Sequence, residues 1–154
     1  MIPELKVFFA AMTPLVELKF AIPLGLKLGL STTSTFVFAT MGTLIPSAIG
    51  LAVADPLSKF LMRNSKFIDK YFNKIFDKTR KEHTKNFERY GALFIFLFVA
   101  VPLPGSGAAM GALIAFIFGV DYWKAFFLFT MGTVVAAYLL IAGFGSIFHL
   151  LNIT

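Results

Sequence analysis

Charged residues cluster at a few points along the chain and leave long apolar runs between them. Thr32 to Ala54 is 23 residues without a charge and Ala125 to Phe148 is 24. At ~1.5 Å per helical residue, either run crosses the ~30 Å hydrocarbon core of a bilayer. The runs predict transmembrane helices over 31–58 and 121–150. Each opens on a helix-start signal: Ser31 ahead of a run of Thr and Ser, and Asp121 ahead of Tyr122 and Trp123, whose rings suit a membrane interface. Pro46 predicts a kink in the first span, and Asp55 before Pro56 predicts its cytoplasmic end.

Tyr90 to Val120 does not fit that pattern. Its 31 uncharged residues would make one helix ~46 Å long, well beyond the hydrocarbon thickness. Pro102, Pro104, Gly105 and Gly107 break the run into arms of 12 and 13 residues, each ~18–20 Å as helix. Arms this short predict a re-entrant hairpin over 90–118 that enters and leaves on one side. Unpaired backbone at its tip is costly in lipid, so the tip is expected to face protein or a wet cavity. Residues 2–28 read as a second, more polar hairpin: a short arm through Met12, a break containing Pro14, Glu17, Lys19 and Pro23, then a Leu/Gly arm.

Charge orients this plan. Lys59 to Arg89 holds ten Lys/Arg and four Asp/Glu, which accounts for the whole net charge of +6. A basic segment between apolar runs is what the positive-inside rule places in the cytoplasm, and it outweighs a nucleic-acid reading. Within it Phe67, Ile68, Tyr71, Phe72, Ile75 and Phe76 share one helical face bordered by lysines. An amphipathic helix over 66–85, lying on the cytoplasmic surface within a basic segment 59–89, is expected.

Composition agrees: 58% of residues are hydrophobic and 14% charged, far from the globular average. The chain is one membrane domain, 1–154, of an all-α integral membrane protein, expected as a multi-pass protein of the cell membrane. There is no cysteine, which removes disulfides, thiolate metal sites and cysteine nucleophiles. Glu4, Lys6, Pro14 and Glu17 interrupt the first apolar run early, so no cleaved signal is expected.

A shift of 90 residues lays the chain on itself. Gly29 meets Gly119, Ser31 meets Asp121, Phe36 meets Phe126, and Thr40-Met41-Gly42-Thr43 meets Thr130-Met131-Gly132-Thr133; Pro14 falls on Pro104. If each unit is one hairpin plus one span, the second runs opposite to the first, giving two inverted repeats joined by the cytoplasmic amphipathic helix.

Few residues in this plan carry chemistry. Glu17 is the carboxylate well inside the first hairpin, and an acid withdrawn from water is a candidate proton carrier. The alternative is that Glu17 and Lys19 sit at an interface and point to water. On a regular helix the two would diverge, and only a broken backbone before Pro23 would bring them to one cavity. Asp55 is a second coupling candidate. Pro102, Pro104, Gly105, Ser106 and Gly107 offer main-chain groups and one hydroxyl, and a half-helix starting at Gly107 would favour an anion. With Lys19 and Pro23 they form the expected substrate site. The two Thr-Met-Gly-Thr stretches read as packing positions. His83 and His149 have no partner at metal-ligand spacing. No nucleophile elbow, Walker pattern or dinucleotide fingerprint occurs, so neither an enzyme nor a cofactor is expected, and transport would draw on a gradient.

Glu17-Leu18-Lys19-Phe20-Ala21-Ile22-Pro23-Leu24-Gly25, followed by Val101 through Ile114 (VPLPGSGAAMGALI), resembles the small multidrug export proteins. That family usually shows arginine where Lys19 stands, threonine at Ser106, tryptophan at Ala109 and asparagine near Thr43; without the tryptophan an aromatic drug-stacking site is not implied. The hairpin-plus-span plan is similar to the DedA and VTT membrane proteins, a resemblance that implies lipid translocation and proton dependence. The expectation is a gradient-coupled transporter or lipid translocase for an amphipathic or anionic-headgroup substrate. The alternatives are a small four-span proton-coupled multidrug exporter and a non-transporting assembly protein. Membrane lipids and further copies of the chain, as a dimer or larger assembly, are the expected partners.

Overall fold

The computed structural model describes residues 2–13, 17–64, 70, 84–102, 111–112, 114–115, 118 and 120–150, with side chains left out at 54–55, 57–59, 61–62, 84–89 and 148–150. Five helices carry the described fold: α1 (Pro3–Met12), α2 (Glu17–Lys27), α3 (Thr32–Asn64), α4 (Thr84–Ala100) and α5 (Tyr122–Leu150). Residues 111–112 and 114–115 are also helical.

The long helices begin where their caps predict. Ser31 Oγ accepts a hydrogen bond from the Ser34 N–H at 3.1 Å, covering a donor that the helix start leaves open. α5 starts directly after Asp121. Thr32–Val53 and Tyr122–Ile147 are long and apolar enough to cross a bilayer. Both carry large apolar side chains outward at four-residue spacing: Val37, Met41, Ile45, Ile49 and Val53 on α3, and Trp123, Phe127, Met131, Val135 and Leu139 on α5. Exposed apolar stripes on both long helices are what a lipid solvent requires and water penalises.

Other boundaries depart from expectation. α3 does not stop at Asp55-Pro56 or at 58; the apolar span ends at Val53 but the helix continues to Asn64. A proline removes one main-chain bond, and a long helix with intact turns on both sides absorbs that loss. Residues 59–64 therefore belong to α3 and not to the basic loop. α2 likewise runs through Pro23, so Glu17, Lys19 and Pro23 lie within a helix and not in the expected break; Pro14 lies outside the described residues. α4 begins at Thr84, taking in the end of the basic segment. The amphipathic helix expected over 66–85 falls almost entirely outside the described residues.

The two halves repeat local hydrogen bonds at the 90-residue interval. α2 ends with Gly29 at φ +75, the Leu30 N–H bonded to the Gly25 carbonyl at 3.1 Å and the Gly29 N–H to the Leu26 carbonyl at 3.0 Å. This is the Schellman ending, which needs a left-handed residue and so favours glycine. Ninety residues on, the Val120 N–H bonds the Ala115 carbonyl at 2.9 Å. The Thr35 N–H to Ser31 carbonyl bond (2.9 Å) has its counterpart in Ala125 to Asp121 (2.8 Å).

Packing uses small residues, since in lipid close backbone approach replaces the hydrophobic effect. α1 lies on α3 at Gly42, where a Cβ would strike the Phe8 carbonyl oxygen and come within 2.8 Å of the Ala11 side chain. α4 lies on α5 at Gly132, where a Cβ would come within 2.9 Å of Val99 and 3.1 Å of the Phe96 carbonyl. One buried cluster joins Val7, Ala11, Leu18, Ala21, Ile22 and Ala39 to Ala136 and Ala137. Another joins Leu51 and Ile95 to Ala112, Ile114, Ala115, Val120, Ala125 and Phe129.

Candidate functional site

Where these two clusters meet, the helices leave a cavity. α2 contributes Glu17, Leu18 and Lys19; α3 contributes Thr43 and Ser47. Val99 and Pro102 line it from the end of α4, and Phe129, Thr133, Ala136 and Leu140 from α5. Its volume is about 30 Å³, room for about two water molecules.

Thr43 stands eleven residues after the start of the Thr32–Val53 span and Thr133 eleven after the start of the Tyr122–Ile147 span. Each is thus ~16 Å along its helix, about half the hydrocarbon thickness. The cavity sits near the middle of both apolar spans.

Glu17 and Lys19 reach it although α2 is helical from Glu17 onward. Glu17 has φ +44 and is the non-glycine residue with positive φ among those described. At the first position of α2 it is out of register with the turn that follows, so its side chain need not diverge from that of Lys19. The pair therefore reaches one cavity from within a helix, without the extended break before Pro23 that the sequence suggested. A carboxylate residue in this region carries strain of order 1–3 kcal/mol, and such strain collects at functional sites.

The α3 wall is polar. Ser47 Oγ donates to the Thr43 carbonyl at 2.7 Å, and Pro46 supplies no N–H to the Gly42 carbonyl. Thr43 Oγ1 is buried without a hydrogen-bond partner.

The sequence-predicted site is therefore partly assembled. Glu17, Lys19 and Pro102 come to one cavity. Pro104, Gly105, Ser106 and Gly107 lie outside the described residues. Asp55 is eight residues beyond Ser47 on α3, ~12 Å further along the axis, and its side chain is not described. Thr43 and Thr133, taken from sequence as packing positions, are cavity residues instead. The available signal was the tetrapeptide repeated in both halves.

The chain thus has two helices long and apolar enough to cross a bilayer, with an acid, a lysine and hydroxyls gathered at one cavity beside them. The sequence profile of a family described as "Putative small multi-drug export protein" matches residues 17–139. The chain belongs to that family. No functionally curated protein and no solved structure matches it.

Proposed function

We propose that the chain is a gradient-coupled membrane transporter or lipid translocase, with Glu17 as the proton carrier and Lys19 as the receiver of an anionic headgroup. The carrying observation is that Glu17, Lys19 and Pro102, at the inner ends of their helices, share a cavity with the mid-span residues Thr43 and Thr133. α1 and α2 have 10 and 11 residues, ~15–17 Å each, half the length of a crossing. Helices this short, with Glu17 and Lys19 at the start of α2 reaching a cavity between two full spans, fit a re-entrant hairpin. The repeated hydrogen bonds at the 90-residue interval favour two such units of opposite direction.

The cavity limits what is held. Room for about two waters suits the polar end of an amphipathic molecule only after widening. Its apolar part would remain along the exposed stripes of α3 and α5, one of which a second copy of the chain would cover. No step of this reading requires bond making, so the chain acts as a carrier without enzyme chemistry.

The test is full-length protein in proteoliposomes under a proton gradient, with fluorescent anionic lipid or amphipathic dye as cargo. Glu17→Gln is expected to abolish proton-driven movement while the protein still assembles. Unchanged transport by this variant rejects Glu17 as the carrier, and wild-type protein that moves neither cargo points to an assembly role.

One observation favours the exporter of amphipathic cations as a second reading. Phe94 stacks with Phe98 and with Phe118 at centroid separations of 6.0 and 6.3 Å, and Tyr122 stacks with Phe126 at 6.2 Å. Aromatic faces attract organic cations. On this reading Glu17 holds the cation, and Lys19→Gln speeds cationic dye transport where the headgroup reading predicts loss.

A further inference from the structure

Hydroxyls buried in a helix commonly bond back to the carbonyl four residues earlier. Ser47 does so, and Thr130 Oγ1 donates to the Phe126 carbonyl at 2.9 Å. Thr35, Thr40 and Thr43 do not: their Oγ1 atoms have no hydrogen-bond partner, although the residues are only 0%, 7% and 6% exposed. A buried hydroxyl without a partner costs about 1–3 kcal/mol, and unplaced water is an ordinary remedy.

The three positions are not scattered. At ~100° per residue, 35, 40, 43 and 47 fall within a ~140° arc of α3, and Thr35 to Thr43 spans ~12 Å of its axis. The inner end is the cavity, which Thr43 and Ser47 line. The outer end is the start of α3, where Ser31, Thr32 and Thr33 are exposed. Gly25 of α2 lies directly against Thr35: a Cβ there would come within 2.6 Å of Thr35 Cγ2 and 2.8 Å of its Oγ1.

The corresponding stretch of α5 lacks this line. Ninety residues on, Thr35 is replaced by Ala125, Thr40 by Thr130 with its hydroxyl already bonded, and the mouth residues Thr32 and Thr33 by Tyr122 and Trp123. Phe129, 1% exposed, stands in the place of Ala39 and presses its ring against Gly111.

We propose that Thr35, Thr40 and Thr43 hold a file of water molecules that joins the mid-span cavity to the α3 N-terminal face, giving protons access to Glu17 from that side. Each hydroxyl both donates and accepts, so a proton can enter at one water and leave at the next without net displacement of a hydroxyl. The inference rests on the transport reading for its purpose but on the hydroxyl geometry for its existence.

The test uses water access in place of transport. Thr35→Cys, Thr40→Cys and Thr43→Cys are made one at a time in the full chain, which has no cysteine of its own. In proteoliposomes each is exposed to Ag⁺, a probe of near-water size, and unreacted thiol is counted after unfolding. All three should react roughly tenfold faster than Ala125→Cys, because a hydrated thiol reaches the thiolate form more readily than one in apolar surroundings. Reaction at Thr43→Cys alone overturns the file while leaving the cavity and the transport reading standing; no reaction at any of the three also overturns it. Thermal unfolding of Thr35→Val and Thr40→Val gives an independent reading. A held water predicts a lowered midpoint, whereas a dry unpartnered hydroxyl predicts a raised one and sinks the proposal.

Discussion

Thr43 on α3 and Thr133 on α5, ninety residues apart and each the last residue of a Thr-Met-Gly-Thr stretch, line the same cavity near the middle of their apolar spans. The glycine before each threonine seats a neighbouring helix, α1 at Gly42 and α4 at Gly132. One short motif thus does two jobs in both halves: it brings a partner helix close and turns a hydroxyl to the centre.

Thr43→Val should separate function from stability. The hydroxyl has no partner within the protein, and if it bonds to water in the proposed file its loss should lower stability by only about 1 kcal/mol. Transport in proteoliposomes should fall, because the cavity wall opposite Glu17 becomes apolar. Unfolding curves in detergent and initial transport rates on the same preparation give both numbers.

Glu17→Gly should raise stability and remove activity. Glycine adopts φ +44 without the penalty that a side chain meets there, and relief of about 1 kcal/mol is the expected scale. A lowered unfolding midpoint would show that Glu17 contributes more through its side-chain interactions than its backbone costs.

Two glycines of α5 should respond in opposite ways. A Cβ at Gly132 lies 2.9 Å from the Val99 side chain, so Gly132→Ala should destabilise by about 1–3 kcal/mol as α4 is displaced. Nothing lies within 4 Å of a Cβ at Gly143, so Gly143→Ala should stabilise by up to ~1 kcal/mol through helix propensity. Thermal unfolding of the two variants side by side checks the helix pairing.

Cysteine labelling decides between hairpin and full crossing. With Ser31→Cys, Asn64→Cys and Asp121→Cys made singly in intact cells, a membrane-impermeant thiol reagent should label Ser31→Cys alone if the second hairpin returns to the cytoplasmic side. Labelling of Asp121→Cys from outside would mean that the chain crosses between 90 and 120, as the four-span exporter requires.

The sequence by itself determined the solvent and the long elements. Runs of 23 and 24 uncharged residues are long enough to cross a bilayer as helices, and Ser31 and Asp121 mark helix starts because capping is a local matter of one side chain and the next turn. The ninety-residue interval was also legible, since it is written in identities. Three features were settled only in three dimensions. Helix continuity through Pro23 and Pro56 depends on flanking turns that make up for one missing bond. The meeting of Glu17 with Lys19 at one cavity takes place from within a helix, without the extended break before Pro23 that the sequence suggested. The role of Thr43 and Thr133 depends on which face of each span looks inward, and in a helix apolar all round that is set by glycine-mediated contact with neighbours far away in the chain.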